Sequence, residues 1–216
     1  ISFNILADCW VNWYGDKGSY YWKFNLPDDS YPDKIITDHR NEWINILNKE
    51  TRRPIILDII RSAMSKDYII YLQELEVDDK KYDLGKINLS ESELTVHKNT
   101  YISELCKKMG YRIFYGWNKR TGTWAQNGCA ICISNIFIDG TEIVRQIPVV
   151  NESSGATALI LEIIKGKYQY IFVSSHMDRG TQPEHISNII DKIIDITKSD
   201  TIIIWCGDFN MDSIKI

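Results

Sequence analysis

The hydrophobic pattern of the chain predicts alternating strands and helices that lead to a strongly apolar final strand. This strand, Thr201-Ile-Ile-Ile-Trp-Cys206, is mostly β-branched and aromatic, which is typical of a strand buried on both faces. Gly207 then predicts a break in the strand and a sharp turn. Asp208 and Asn210 follow two positions apart, so both side chains point to one side of an extended backbone. A carboxylate and an amide thus converge where open α/β sheets bind ligands, although Gly-Asp-x-Asn is also ordinary turn chemistry.

The same pattern predicts the remaining elements. Further strands are expected at Ile1–Ala7, Asp67–Leu72, Tyr111–Trp117, Gly128–Ser134, Glu142–Val150, Thr157–Ile164 and Tyr168–Ser175. Apolar residues at helical spacing predict helices at Asp38–Leu47, from Pro54 to Met64, at Thr95–Met109 and at Gln182–Thr197. Pro54 suits a first helical turn, Gly110 predicts a left-handed helix stop, and Gly166 predicts a hairpin.

Composition places the chain among ordinary globular proteins. Its 216 residues are 44% apolar and 25% charged, and we expect residues 1–216 to form a single domain, incomplete at both ends. The formal net charge of −4 argues against binding duplex DNA by bulk electrostatics, and no apolar run is long enough to span a bilayer.

Cysteine usage favours a reducing environment. Five cysteines, mostly inside apolar runs, fit buried thiols of an intracellular, cytoplasmic protein. Cys129 and Cys132 have the spacing of a zinc knuckle, but no second pair accompanies them. In a strand, residues three apart face opposite sides, so the spacing does not favour a zinc site.

Four predicted strands end in polar residues that packing alone does not require. Asn4 lies in the first, Glu74 follows the second, His176 follows Ser175, and Asp208 with Asn210 follows the last. Carboxylate oxygens are ligands that Mg²⁺ prefers, histidine and asparagine can hold phosphoryl oxygens, and aspartate can accept a proton from water. Each residue alone also has a structural explanation, but together they predict metal-assisted attack on a phosphate ester.

Two loops are candidates for substrate contact. The stretch Trp10–Tyr31 is rich in tryptophan and tyrosine, which either stack on bases or pack the loop onto the body. The pair Lys119-Arg120 lies in a short basic segment that either contacts phosphate or is solvated surface.

These motifs resemble those of the endonuclease/exonuclease/phosphatase superfamily, the deoxyribonuclease-I-like proteins. The resemblance rests on Phe3-Asn-Ile-Leu-Ala-Asp8, Leu72-Gln-Glu74, Ser175-His176 and Cys206-Gly-Asp-Phe-Asn210. Within the superfamily the chain is most similar to the carbon-catabolite-repressor-type deadenylases, nocturnin, the angel proteins and the 2′-phosphodiesterase. That choice rests on the opening Asn4-Ile-Leu-Ala-Asp8, on Leu47-Asn-Lys-Glu-Thr-Arg52, Asn127-Gly-Cys-Ala-Ile131, His176-Met-Asp178 and Pro183-Glu184.

The resemblance implies an α/β (α+β) fold, a two-layer β-sandwich flanked by helices, and a role for each site residue. Glu74 would be the principal ligand of Mg²⁺, or of Mn²⁺ in its place, and Asn4 would hydrogen-bond the phosphate or the metal shell. His176 would donate to the scissile phosphate, while Asp208 and Asn210 would orient the attacking water. The family also has a carboxyl-terminal Ser-Asp-His motif that this sequence lacks, which we interpret as a missing carboxyl-terminal part of the domain.

The resulting functional prediction is a magnesium-dependent phosphodiesterase acting on single-stranded RNA, a 3′-to-5′ exoribonuclease of the deadenylase type. One alternative is a phosphatase or phosphodiesterase acting on a small nucleotide or a phosphorylated lipid. Another is an inactive homologue that serves as a binding scaffold. A downstream Ser-Asp-His motif in the gene would favour the enzyme over the scaffold.

Overall fold

The strands of the protein form two mixed four-stranded sheets. The computed structural model describes residues 1–5, 49–76, 100–117, 127–151, 156–177 and 182–209. In the first sheet, β1 (Ser2–Asn4), β2 (Ile70–Glu76), β4 (Asn127–Ser134) and β3 (Tyr111–Trp117) lie side by side in that order. In the second, β5 (Glu142–Val150), β6 (Thr157–Lys165), β7 (Tyr168–His176) and β8 (Thr201–Asp208) lie in sequence order.

Three of the four described helices cover the outer faces of the two sheets, and the short helix at residues 135–138 contributes Ile138 to the cluster between them. The described helices are α1 (Lys49–Met64), α2 (Ser103–Lys108), α3 (Asn135–Ile138) and α4 (Gln182–Ile196). Residues of α1 and α2, such as Ile60 and Leu105, pack with Leu72 of β2 on the first sheet. Residues of α4, such as Ile189, pack with Val173 of β7 on the second. Helices and sheets thus form four layers in the order helix, sheet, sheet, helix.

The space between the sheets is filled by apolar side chains from both. Tyr71 and Ile131 of the first sheet pack with Leu159, Leu161 and Phe172 of the second, and all five are buried. These residues alternate along their strands with residues that face the helices, as strands covered on both faces require. The α/β sandwich with flanking helices is therefore the fold that the sequence predicts.

Several predicted boundaries are wrong. Strand β2 begins at Ile70, because Asp67 lies in the turn after α1, and it continues through Glu74 to Glu76 instead of ending at Leu72. Strand β1 covers only Ser2–Asn4, and α2 begins at Ser103, although residues 100–102 belonged to the predicted helix. Pro54 lies within α1 rather than in its first turn, because the helix already includes Lys49. Strand β8 runs through Gly207 to Asp208 instead of stopping at Cys206. The glycine serves close packing rather than a turn, since a Cβ there would lie 2.3 Å from the carbonyl oxygen of Ser175.

Strand β8 is also less buried than its composition predicts. Ile202, Ile203 and Ile204 are 38–46% exposed. The physical reason is that β8 is an edge strand of the second sheet in the described part of the chain, so its first half lacks neighbours that the apolar run led us to expect.

The four cysteines that the structure describes are free thiols. Cys129 packs between the sheets and Cys132 faces the helices, so their side chains diverge as expected. None of the described helices combines the length and the apolar character that a membrane span requires.

The helix α4 buries a histidine without hydrogen bonds. His185 is 0% exposed, and neither ring nitrogen has a hydrogen-bond partner among the described residues. Burial lowers the pKa of His185 below its ordinary value; the backbone of Thr157 acts in the opposite direction, and the nearby His176 lowers the pKa again. The ring is therefore neutral in the folded protein at neutral pH.

This burial predicts a pH-dependent stability. Because the folded pKa lies below the unfolded value of about 6.5, the contribution of His185 is complete above that pH and is lost as the pH falls further. The limit is about 1.4 kcal/mol per pH unit for one group. In urea unfolding at pH 8.0 and 5.5, His185→Leu should lose less stability on acidification than the wild type. Equal losses in the two proteins would contradict this prediction.

Candidate active site

The ends of two parallel strand pairs bring the predicted site residues to one edge of the sandwich. Strand β1 runs parallel to β2 with Asn4 opposite Gln73, and β7 runs parallel to β8 with His176 opposite Asp208. Parallel neighbours end at the same edge of a sheet, so their carboxyl ends carry the polar residues together. The backbone N–H of Met177, 2.9 Å from the carbonyl oxygen of Asp208, prolongs the β7–β8 pairing past the site.

One amide nitrogen bridges the two carboxylates of the site. Asn4 Nδ2 donates to Glu74 Oε1 at 2.7 Å and to Asp208 Oδ2 at 2.9 Å. His176 Nε2 lies 3.2 Å from the same Glu74 oxygen. The structure thus brings four of the five residues predicted at strand ends together, and their side chains join the first sheet to the second.

The site is half open to solvent. Glu74 is 7% exposed, His176 and Asp208 are half-buried, and Asn4 is exposed. The arrangement places a buried carboxylate at the bottom and an amide and a second carboxylate at the rim. A substrate and water can therefore reach the groups from outside, while Glu74 is shielded.

A β-bulge presents Glu74 to this edge. Leu72 pairs with Ala130 and Leu75 pairs with Gly128, so Gln73 and Glu74 together stand opposite a single residue of β4. The φ of Glu74 is +58°, in the left-handed region that non-glycine residues rarely adopt. Bulges occur frequently beside active sites, where they redirect a side chain.

The residue opposite the bulge is a buried thiol. Burial raises the pKa of Cys129 well above its ordinary range, and the negative charges of Glu74 and Asp208 act in the same direction. Its Sγ donates to the carbonyl oxygen of Thr157 at 3.4 Å. Cys129 is therefore a protonated thiol beneath the site and does not supply a thiolate ligand.

The donor set fits a hard divalent cation. The carboxylates of Glu74 and Asp208 both accept hydrogen bonds from the same Asn4 amide nitrogen, so they lie close together. Carboxylate oxygens are ligands that suit Mg²⁺ and Mn²⁺. Within the described ranges no three histidine, cysteine, aspartate or glutamate residues form a complete metal cage. Mg²⁺ characteristically keeps several waters and binds through one or two carboxylates plus substrate phosphate, which agrees with this sparse set.

Three predicted site residues lie outside the described residues. They are Asn210, Lys119 and Arg120, and the aromatic stretch 10–31 lies outside them as well. Their roles stay predictions.

The structure adds polar residues that the sequence reasoning did not single out. Gln73 Nε2 donates to Ser174 Oγ across the two sheets at 3.1 Å, and Trp205 Nε1 donates to Ser175 Oγ at 2.8 Å. Two adjacent serines inside the apolar run of β7 could have indicated these contacts, because buried polar groups need hydrogen-bond partners.

Solved structures show the same fold. ANGEL2, described as a 2′,3′-cyclic phosphatase and crystallised with adenosine-2′,3′-vanadate, superposes with a TM-score of 0.60 and 18% identity over 97% of this chain and 52% of its own. The human nocturnin catalytic domain, with bound sulfate, superposes with a TM-score of 0.55 and 17% identity over 78% of this chain and 60% of its own. A Leptotrichia buccalis endonuclease/exonuclease/phosphatase family protein superposes with a TM-score of 0.51 and 19% identity over 74% of this chain and 62% of its own.

These comparisons assign the fold. At this level of identity the likeness is one of architecture, and it agrees with the resemblance found in the sequence motifs. No family model and no curated protein sequence matches the chain significantly. The chain spans about half to three fifths of the length of these three solved structures. The fold is thus a deoxyribonuclease-I-like α/β sandwich.

Close packing at Gly207 predicts a local effect on the site. In Gly207→Ala the new Cβ would lie 2.4 Å from Ser175 Oγ as well as against the Ser175 carbonyl. Overpacking of this kind costs about 1–3 kcal/mol. We expect a loss of stability together with a shifted NMR signal of the Trp205 indole N–H, which donates to that serine.

Gly140→Ala is the matched control for this change. Gly140 has a φ of +70° and open space around it, so alanine there adds backbone strain of about 1–2 kcal/mol without touching the site. The Trp205 signal should stay in place in this variant. If Gly207→Ala leaves the Trp205 signal unmoved, the assigned packing of β8 on β7 is wrong.

Proposed function

We propose that this protein is a divalent-cation-dependent phosphodiesterase whose catalytic centre includes Asn4, Glu74, His176 and Asp208. The observation that carries the proposal is the sharing of one Asn4 amide by the Glu74 and Asp208 carboxylates at an accessible edge. Two carboxylates next to one imidazole leave an excess of negative charge, which a divalent cation would offset. The family resemblance of the sequence and the fold of its structural neighbours support the same class.

Each side chain has a role in this proposal. Glu74 would hold the cation, which when bound would neutralise charge on the phosphate and polarise it toward attack. His176 would donate a hydrogen bond to a phosphoryl oxygen as negative charge builds there. Asp208, oriented by Asn4 and assisted by Asn210, would accept a proton from water while the water oxygen bonds to phosphorus and the ester bond breaks.

For the substrate we favour single-stranded RNA, degraded from its 3′ end. The sequence resemblance to deadenylases supports this choice. Lys119 and Arg120 would contact the backbone phosphates, and aromatic residues of the 10–31 stretch would stack on unpaired bases. A net charge of −4 gives no general help to RNA binding, so these local contacts would have to supply the affinity.

A second candidate is the hydrolysis of a small phosphate ester at a nucleotide. It is favoured by the match to ANGEL2, whose described activity is on a 2′,3′-cyclic phosphate and which covers 97% of this chain. Both candidate functions use the same chemistry at phosphorus. They differ in the rest of the substrate, which is an RNA strand in the first and a single nucleotide in the second.

Replacement of the proposed cation ligand tests the class of enzyme. Glu74→Gln keeps the shape of the side chain and removes its charge, so we expect hydrolysis to fall at least about 100-fold, since loss of even an outer-shell partner costs about 10- to 100-fold. The midpoint of thermal unfolding should move by less than about 4 °C. Glu76→Gln, in the same strand but with its carboxylate 3.9 Å from the Arg53 guanidinium, should hydrolyse normally. Hydrolysis by Glu74→Gln at the wild-type rate would contradict the assignment.

The substrate preference is tested with labelled oligonucleotides. A 5′-labelled A-tract RNA should be shortened stepwise from its 3′ end, and the matching DNA should be spared. Lys119→Ala with Arg120→Ala should weaken RNA binding and reduce its dependence on salt. The same double change at Lys107 and Lys108 of α2 serves as the control and should leave binding unchanged.

Other outcomes of this assay decide between the candidates. Equal cleavage of RNA and DNA would indicate a general nuclease. Intact polymers together with hydrolysis of adenosine-2′,3′-cyclic phosphate would favour the second candidate and contradict the first.

A further inference from the structure

Glu74 has a backbone conformation that its residue type disfavours. Its φ of +58° occurs inside the strand β2, where the residue is buried. Among the described residues, the other non-glycine with positive φ is Asp67, in an exposed turn. Aspartate tolerates the left-handed region through local hydrogen bonds, whereas glutamate in a strand has no such local compensation. A disfavoured conformation of this kind persists only where the surrounding contacts impose it.

Those contacts come from both sheets. Gln73, which precedes Glu74 and is 1% exposed, donates from Nε2 to Ser174 Oγ of β7 at 3.1 Å. Ser174 is 0% exposed, and its Oγ donates to the carbonyl oxygen of Leu72 at 3.1 Å. From the other side, the N–H of Ile5 donates to the Gln73 carbonyl at 3.0 Å, and Ser2 Oγ donates to Gln73 Oε1 at 3.4 Å. The bulge is therefore fixed by β1 and by the opposite sheet.

This polar network lies where apolar packing would otherwise suffice. The neighbouring positions between the sheets, such as Tyr71, Leu159 and Phe172, form an apolar cluster. Burying an amide and a hydroxyl among such residues is favourable only if both are hydrogen-bonded, as they are here. The network contacts the chain at Leu72 and Gln73, the two residues directly before Glu74. It therefore acts on the backbone that directs the Glu74 side chain.

We propose that Gln73 and Ser174 are positioning residues that hold the β2 bulge and thereby fix the Glu74 carboxylate for cation binding. The inference deepens the proposed function and rests on it, because Glu74 is the proposed cation ligand. A carboxylate whose backbone is held in advance binds a cation without first ordering itself. Neither Gln73 nor Ser174 needs to touch the cation or the substrate.

Adjacent serines of β7 provide a matched pair of variants. Ser174→Ala removes both hydrogen bonds to β2. Ser175→Ala removes an equally buried hydroxyl that faces the other way and accepts from Trp205 at 2.8 Å. Both variants should lose stability. In calorimetric titration of the metal-free protein with Mn²⁺, Ser174→Ala should bind about 10- to 100-fold more weakly, as for other outer-shell partners. Ser175→Ala should bind within about twofold of the wild type.

Crystal structures of the two variants give a readout that is independent of any cation. In Ser174→Ala, the φ of Glu74 should leave the left-handed region, whereas in Ser175→Ala it should stay near the wild-type value. If Ser174→Ala does not fold, Gln73→Met takes its place in both measurements. Methionine keeps the length of the side chain and lacks the amide donor. Equal Mn²⁺ affinity in the two serine variants, with Glu74 still at positive φ, would overturn the proposal.

Failure of the proposed function has a different signature. A wild-type protein that neither binds Mn²⁺ nor hydrolyses phosphodiesters would remove the enzymatic assignment. In that case the φ of Glu74 in the two variants alone decides whether Ser174 holds the bulge.

Discussion

The site depends on the placing of two carboxylates beside one amide. Two carboxylates that accept from one amide nitrogen are like charges close enough to repel each other, so Glu74 and Asp208 need compensation. Asn4 donates to both and His176 lies against Glu74, which offsets part of the repulsion. A divalent cation would offset the rest. The same contacts join the two sheets, so the stability of this edge and the chemistry proposed for it have a common origin.

The fold creates this neighbourhood by simple geometric means. Two parallel strand pairs, one in each sheet, end at the same edge, and the bulge in β2 turns Glu74 toward it. Gly207 allows β8 to approach β7 so closely that no Cβ would fit, which places Asp208 opposite His176. Buried hydrogen bonds from Gln73 and Ser174 then join the bulge to the second sheet.

Most of the architecture follows from the sequence because its strands are long and strongly apolar. The strands β3 to β7 and the helix α4 lie within a residue or so of their predicted bounds. The meeting of Asn4, Glu74, His176 and Asp208 was predictable from polar residues at strand ends. The bulge and the cross-sheet hydrogen bonds of Gln73 were not, since they depend on which strands pair. The exposure of Ile202–Ile204 was missed for a similar reason, because composition does not reveal whether a strand lies at an edge.

The location of the bound cation tests the central claim most directly. Crystals of the protein soaked in Mn²⁺ should show an anomalous scattering peak within about 2.2 Å of a Glu74 carboxylate oxygen, the distance expected for a hard divalent ion with oxygen ligands. Asn4, His176 and Asp208 should surround that peak. A Mn²⁺ ion bound elsewhere, with no peak beside Glu74 at saturating concentration, would contradict the account.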